Sequence, residues 1–301
     1  MNRILVWFSF FLISVSGALN AASREPSYPE SRLHQKLGFS GKPLPEIWLN
    51  RRGEPPQVAL YTGTGSWGTG KQHMKMFLQE NGFSYRTLSA AELLGGELEK
   101  SQFQILMMPG GESWKYLEEL GTEGARLIRN YVESGGSYFG VCAGAFYATS
   151  QRQGGPTTGA YGIGLLEGTA YDGTSLGTAP FKEGMLDFDT SSDELMRGLP
   201  AHFRSVLLGG PSFHYSEAEA QAKKIRVLMQ FQKIREPAMI LFHYGEGRVF
   251  LSGPHLEIEE DRTDWGPDYF DPDSEWPIME RVVHYLLGEA SSSEGKTKFP
   301  R

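Results

Sequence analysis

Cysteine is nearly missing from this chain, with one residue, Cys142, in 301. No intrachain disulfide can form, and no multi-cysteine zinc site can be built. There is no basic excess either: Lys and Arg number 29 against 36 Asp and Glu, a net charge of −7. That balance excludes the basic footprint of a nucleic-acid partner. After residue 15 no apolar run approaches the ~20 residues a membrane-spanning helix needs. What is present is ordinary globular composition, 40% hydrophobic and 22% charged, with 37 glycines that predict many tight turns.

Arg3 precedes an apolar run over 4–15, and Ser16-Gly17-Ala18 supplies a small-residue cleavage site. This order predicts a signal peptide over 1–18 and a secreted or periplasmic protein with no membrane span after cleavage. A retained membrane anchor is the alternative, for which the run is short. An exported protein meets an oxidising compartment, where a lone thiol must be buried or used. Residues 19–56, rich in Pro, Ser and charge, predict an extended N-terminal arm with at most short helices. The polar, Ser-rich stretch 289–301 predicts a disordered tail.

Between them, 57–288 reads as one α/β domain. Buried strands are predicted over 57–61, 83–88, 104–108 and 137–141, with helices near 72–81, 124–134 and 143–151. Gly135-Gly136 ends the middle helix as a helix C-terminus prefers. Strands are expected again over 225–231, 238–243 and 248–252, the last two joined by a hairpin-like turn at 244–247, and a closing helix over 277–287. Strand–helix alternation implies βαβ units and a mainly parallel sheet. Open sheets of that kind carry their sites at the C-terminal strand edge.

At that edge stands Gly140-Val141-Cys142-Ala143-Gly144-Ala145, the cysteine counterpart of a G-x-S-x-G nucleophile elbow. Small neighbours permit the sharp turn, and a helix N-terminus behind the sulfur favours the reactive thiolate. The Ala143 N–H, with a second donor from Gly110 or Gly111, forms a candidate oxyanion hole. A tight packing turn with an inert cysteine is the plainer alternative. A base is offered by His255 in Gly253-Pro254-His255-Leu256-Glu257. Residues two apart in an extended segment face the same side, so Glu257 can orient the imidazole towards Cys142. The alternative for His255 is a surface-turn histidine.

Together with 58–63, Met108-Pro109-Gly110-Gly111 and Gly209-Gly210-Pro211-Ser212-Phe213, these pieces resemble the class I glutamine amidotransferase-like superfamily. More narrowly, they are similar to the biotin-protein ligase N-terminal-like domain family. The resemblance spans 57–257. It implies a flavodoxin-like three-layer sandwich, with Cys142 as nucleophile, His255 as base and Glu257 as its support. It also implies that Gly210 and Phe213 line the pocket. The Gly-rich turn over 62–70, with Gly63 and Trp67, reads as one wall of that pocket beside Gly110, and Gly111 and Ala143 as the oxyanion donors. Nothing in the chain resembles a biotin ligase catalytic domain. Three functions stay open: a cysteine hydrolase acting on an amide or related acyl bond of a small-molecule or peptide substrate, a non-catalytic binding or regulatory module, and a redox or carbonyl-stress role. No cofactor is expected.

Other motifs lack a required member. Gly63, Gly65 and Gly68 have a dinucleotide-loop spacing, but the following strand does not end in an acidic residue. Gly65 to Lys71 matches most of a P-loop, yet Gln72 stands where a Ser or Thr is needed. Asp261, Asp264, Asp268, Asp271, Asp273 and Glu275 lack the spacing and central glycine of a calcium loop, so they read as a solvated acidic loop, and no metal site is expected.

Overall fold

The computed structural model describes residues 37–154, 158–172, 183–271 and 273–289. The expected signal peptide, the arm up to residue 36 and the tail beyond 289 lie outside them. Among the described residues no helix is long and apolar enough to cross a membrane.

Four short apolar segments form the centre. Strands β1 (Ile47–Trp48), β2 (Val58–Tyr61), β3 (Tyr85–Leu88), β4 (Ile105–Met108) and β5 (Ser137–Val141) run in the first half. Strands β6 (Thr149–Gln153), β7 (Gly159–Ala160), β8 (Leu166–Tyr171), β9 (Glu183–Thr190), β10 (His202–Leu208) and β11 (Ser212–Tyr215) follow. The last are β12 (Arg226–Phe231), β13 (Pro237–Tyr244) and β14 (Gly247–Ser252). A ten-stranded sheet has the order β1-β3-β2-β4-β5-β14-β13-β12-β9-β10. A second sheet of four strands has the order β11-β8-β6-β7.

The large sheet is mixed, which corrects the expectation of a mainly parallel one. Strands β3, β2, β4, β5 and β14 pair in parallel, and every pairing outward from them is antiparallel. The cause is connection length. Parallel neighbours need a crossover of a dozen residues or more, whereas short loops force antiparallel hairpins. Tyr244 pairs with Gly247 across a two-residue turn, and Gly245, with φ +56°, takes its first position.

Alternation along the strands sorts the core into two faces. Val58, Leu60, Ile105, Met107, Phe139 and Val141 pack with Met74, Phe77 and Leu78 of α1 (Gly68–Glu80) on one face. Ala59, Tyr61, Leu106, Met108 and Tyr138 turn to the other. There they meet α2 (Ala90–Leu94), α3 (Glu97–Lys100), α4 (Ser113–Glu133) and α5 (Ala143–Ala148). Helix α6 (Glu217–Lys223) precedes β12, and α7 (Trp276–Leu286) buries Ile278, Met279, Val282 and Val283 on the α1 face.

Several boundaries differ from expectation. Helix α1 begins at Gly68, inside the Gly-rich turn. The helix expected near 124–134 is the second half of α4, which is non-helical at Gly121 (φ 55°, ψ −160°). The helix expected over 143–151 stops at Ala148, because Thr149 turns extended and starts β6. The arm is not wholly irregular, since Ile47 and Trp48 pair antiparallel with β3. The acidic loop is only partly solvated: Asp261, Asp264, Asp268 and Asp273 are exposed, but Asp271 and Glu275 are buried, with Glu260 beside them. Packing of Trp276 against Phe77 draws that end of the loop inward.

Local signals hold where the structure keeps them. Ser89 caps α2 in a capping box, its side chain accepting from Glu92 N–H and Glu92 accepting from Ser89 N–H. Replacing Ser89 by alanine is expected to destabilise the protein by about 1 kcal/mol, read by urea unfolding. An unchanged midpoint would mean that the cap contributes nothing to the global transition.

Candidate functional site

Strand β5 is buried throughout and ends at Val141. The next residue, Cys142, has φ 48° and ψ −103°, and α5 begins immediately after it. A positive φ is uncommon for a residue with a side chain. Cys142 N–H donates to Ser252 O (2.8 Å), and Phe146 N–H donates to Cys142 O (2.9 Å). Gly144 is held against β4, its N–H donating to Pro109 O (3.1 Å).

Parallel register brings the second part to the first. Val141 of β5 pairs with Ser252 of β14, so both strands end together and Gly253 to Glu257 leave β14 beside Cys142. His255 N–H donates to Val206 O (2.8 Å), and Ile258 N–H donates to His255 O (3.2 Å). The segment is a turn, which corrects the extended geometry expected from the two-residue spacing. The turn nevertheless aligns the side chains: His255 Nδ1 and Glu257 Oε1 are 2.8 Å apart. A carboxylate only accepts, so Nδ1 carries the proton of this bond.

The imidazole stands beside Cys142, both side chains lying against Gly110, close enough for the sulfur to act on the ring electrostatically. All three residues are buried, Cys142 at 3% exposure and His255 and Glu257 at 0%. Burial disfavours the imidazolium, but the facing Glu257 carboxylate and Cys142 sulfur outweigh it and raise His255 to about 10. The Cys142 sulfur also stands 3.8 Å from Leu208 O.

Gly110 lies against both Cys142 and His255. A Cβ there would overlap the imidazole and stand 3.3 Å from Cys142 Cβ. Trp67 N–H donates to Gly110 O (2.8 Å), and the indole meets His255 edge to face at 5.2 Å. Gly111, at φ +136°, forms an antiparallel bridge with Ser66. Ala143 opens α5, where the first helical N–H has no acceptor within the helix. Leu37, Trp67, Val206, Leu208 and Ile258 form an apolar cluster beside the trio.

Of the expected site residues, Cys142, His255, Glu257, Trp67 and Gly110 converge, with Gly111 and Ala143 next to them in the chain. Gly210 abuts the Gly253 backbone in front of His255. Gly63 lies apart, against the Tyr61 hydroxyl and the Glu119 carboxylate. Phe213 is buried in the core cluster of the α4 face.

Three contributors escaped the sequence reading. A Cβ on Gly70 would stand 3.0 Å from Glu257 Oε1, so the second glycine of the P-loop-like spacing makes room for a carboxylate. Trp276 Nε1–H donates to Glu257 O (3.1 Å). His73, fully buried on α1, accepts from Glu259 N–H at Nδ1 (3.3 Å). Only the apolar spacing of α1 hinted that His73 faces inward. Among the described residues, no group of three His, Cys, Asp or Glu side chains has metal-holding geometry.

The mixed α/β fold is shared with solved glutamine amidotransferase structures. One is 21% identical, covers 77% of this chain and 99% of its own, and has a TM-score of 0.53. Another, from Thermotoga maritima, is 15% identical, covers 78% and 99%, and has a TM-score of 0.50. At these identities the likeness concerns the fold. The family is defined by residues 56–274, which match the model described as biotin-protein ligase, N terminal. The chain belongs to that family. It is similar to an uncharacterized protein of Chlamydia muridarum, 25% identical over 217 residues, 67% of this chain and 80% of that one. It is also similar to a biotin–protein ligase of Schizosaccharomyces pombe, 27% identical over 162 residues, which is 51% of this chain but 25% of the ligase.

Proposed function

We propose that the protein is a cysteine-dependent hydrolase of an amide or related acyl bond, using Cys142, His255 and Glu257 as a triad. The observation that carries this reading is the alignment of a buried Glu257–His255 pair at 2.8 Å with the thiol of Cys142. Cys142 is the nucleophile and the turn around it a nucleophile elbow. His255 takes the thiol proton, and the sulfur attacks the carbonyl carbon. The Ala143 and Gly111 N–H groups hold the oxyanion. The C–N bond then breaks as His255 protonates the leaving amine. A water, deprotonated by His255, adds to the thioester and releases the acid and the thiol. Glu257 keeps Nδ1 protonated so that the other ring nitrogen faces sulfur. The fold in this reading is a flavodoxin-like three-layer sandwich, supported by helices on both sheet faces.

Export belongs to the same proposal and rests on the order of charge, apolar run and small residues over 1–18. It requires the chain to leave the cytoplasm and lose residues 1–18; recovery only from the cytoplasm, with Met1 at its N-terminus on sequencing, contradicts it.

A second reading, a binding or regulatory module, is favoured by the 3% exposure of Cys142. Alkylation separates the two. The hydrolase requires Cys142 to react with iodoacetamide near neutral pH faster than free cysteine, and His255→Ala to slow it roughly 100-fold. Cys142→Ser must also abolish turnover of any amide substrate found. A thiol no faster than free cysteine, unmoved by His255→Ala, supports the module instead.

A further inference from the structure

Glu257 meets His255 through one oxygen. Its other oxygen, Oε2, is buried and has no hydrogen-bond partner. A buried carboxylate oxygen without a donor is costly. A donor in the same condition stands nearby. His73 Nδ1 accepts from Glu259 N–H (3.3 Å), so in the neutral ring the proton is on Nε2. That Nε2 is also buried and without a partner.

Helical spacing puts His73 on the face of α1 that meets Glu257. Gly70, against Glu257 Oε1, and His73 are three residues apart on α1 and share a face. The Glu257 charge is also felt at the His73 ring, alongside Arg262 and Asp261. Phe39 packs edge to face on the same ring at 5.7 Å. Burial holds His73 down to about 4, so the ring is neutral and keeps a single donor.

We propose that His73 is a positioning residue for Glu257, its Nε2–H supplying Glu257 Oε2 through one bridging water. A water between two such groups serves nearly as well as direct contact. The chain of contacts then runs from α1 through Glu257 and His255 to Cys142. The inference rests on the triad reading above.

The test is the pH profile of Cys142 alkylation by iodoacetamide in the full chain. His73→Leu removes the donor and is expected to slow alkylation at neutral pH about tenfold, one charge-assisted hydrogen bond's worth, and to move the profile midpoint upward. His73→Gln, whose amide can accept from Glu259 and donate onward, is expected to restore both to within about twofold. Should His73→Leu follow the wild-type profile while His255→Ala is slow, this inference fails and the triad stands. Equal slowing by His73→Leu and His73→Gln, with native circular dichroism, means a packing role and also overturns it. If His255→Ala leaves the profile unmoved, both readings fall. Should His73→Leu not fold, ¹⁵N NMR of the wild type decides. A neutral His73 protonated at Nε2 is expected, and a proton on Nδ1 overturns the inference.

Discussion

A Gly110→Ala chain is expected to fold and, under the proposed triad, to lose the fast alkylation required of Cys142, as is required of His255→Ala. The added methyl would overlap His255 Cε1 and stand 3.2 Å from Nδ1 and 3.3 Å from Cys142 Cβ. The ring cannot yield freely. It is fully buried, bonded to Glu257 and flanked by Trp67. Either the imidazole swings off the Cys142 axis or the Pro109–Gly110 backbone retreats. Overpacking of this kind costs about 1–3 kcal/mol, so Tm falls while the fold survives. Backbone strain adds nothing, because Gly110 is outside the left-handed region. The measurements are a thermal melt and an alkylation time course. Alkylation at the wild-type rate in a folded Gly110→Ala chain would show that the imidazole does not set the reactivity of the thiol.

Raising the pH from acid to alkaline is expected to destabilise the protein steadily, and Glu275→Gln to remove much of that loss. Burial, then neighbouring carboxylates, raises Glu260 to about 9 and Glu275 well above its ordinary value. Burial likewise raises Glu259 to about 7, and Asp271 is raised for the same reason. In the unfolded chain the glutamates ionise near 4.5. Between that pH and about 9 the folded state binds more protons than the unfolded, so stability falls as pH rises. Each retained proton contributes a slope of about 1.4 kcal/mol per pH unit. His255, raised from 6.5 to about 10, adds loss of the same sign between those values. Glu275→Gln keeps the shape without the ionisable group, so its melting curves should be flatter with pH and higher under alkaline conditions. A Tm that is constant or rises from mildly acidic to alkaline pH would contradict the buried carboxyl cluster. The cluster adjoins the site, since Trp276 follows Glu275 and donates to Glu257 O.

The parallel half of the sheet was legible because its strands are buried on both faces. Val58–Tyr61, Ile105–Met108 and Ser137–Val141 are buried at every position, and such runs announce themselves without reference to their partners. The antiparallel half and the small sheet were not legible over 149–215. Thr149–Gln153 is polar at every position and alternates only partly between buried and exposed. Its extended state comes from pairing with β7 and β8. His255 and Glu257 were legible as a pair through their spacing, although a turn rather than a strand aligns them. Phe213, placed at the pocket by the family resemblance, belongs to core packing, and Gly63, placed there by the Gly-rich turn, lies at the Tyr61–Glu119 contact, because chain position does not fix the direction a residue faces.

From residue order alone came the apolar strands, the small residues that let the chain turn at Cys142, and the histidine two places before a glutamate. These depend on local sterics and on which segments avoid water, which are properties of a segment. Tertiary structure alone decided that β5 and β14 end side by side, that Gly70 leaves space for Glu257, and that His73, Glu260 and Glu275 are withdrawn from solvent. Those depend on strand register and on the low dielectric created when distant segments pack, which no single stretch of sequence carries.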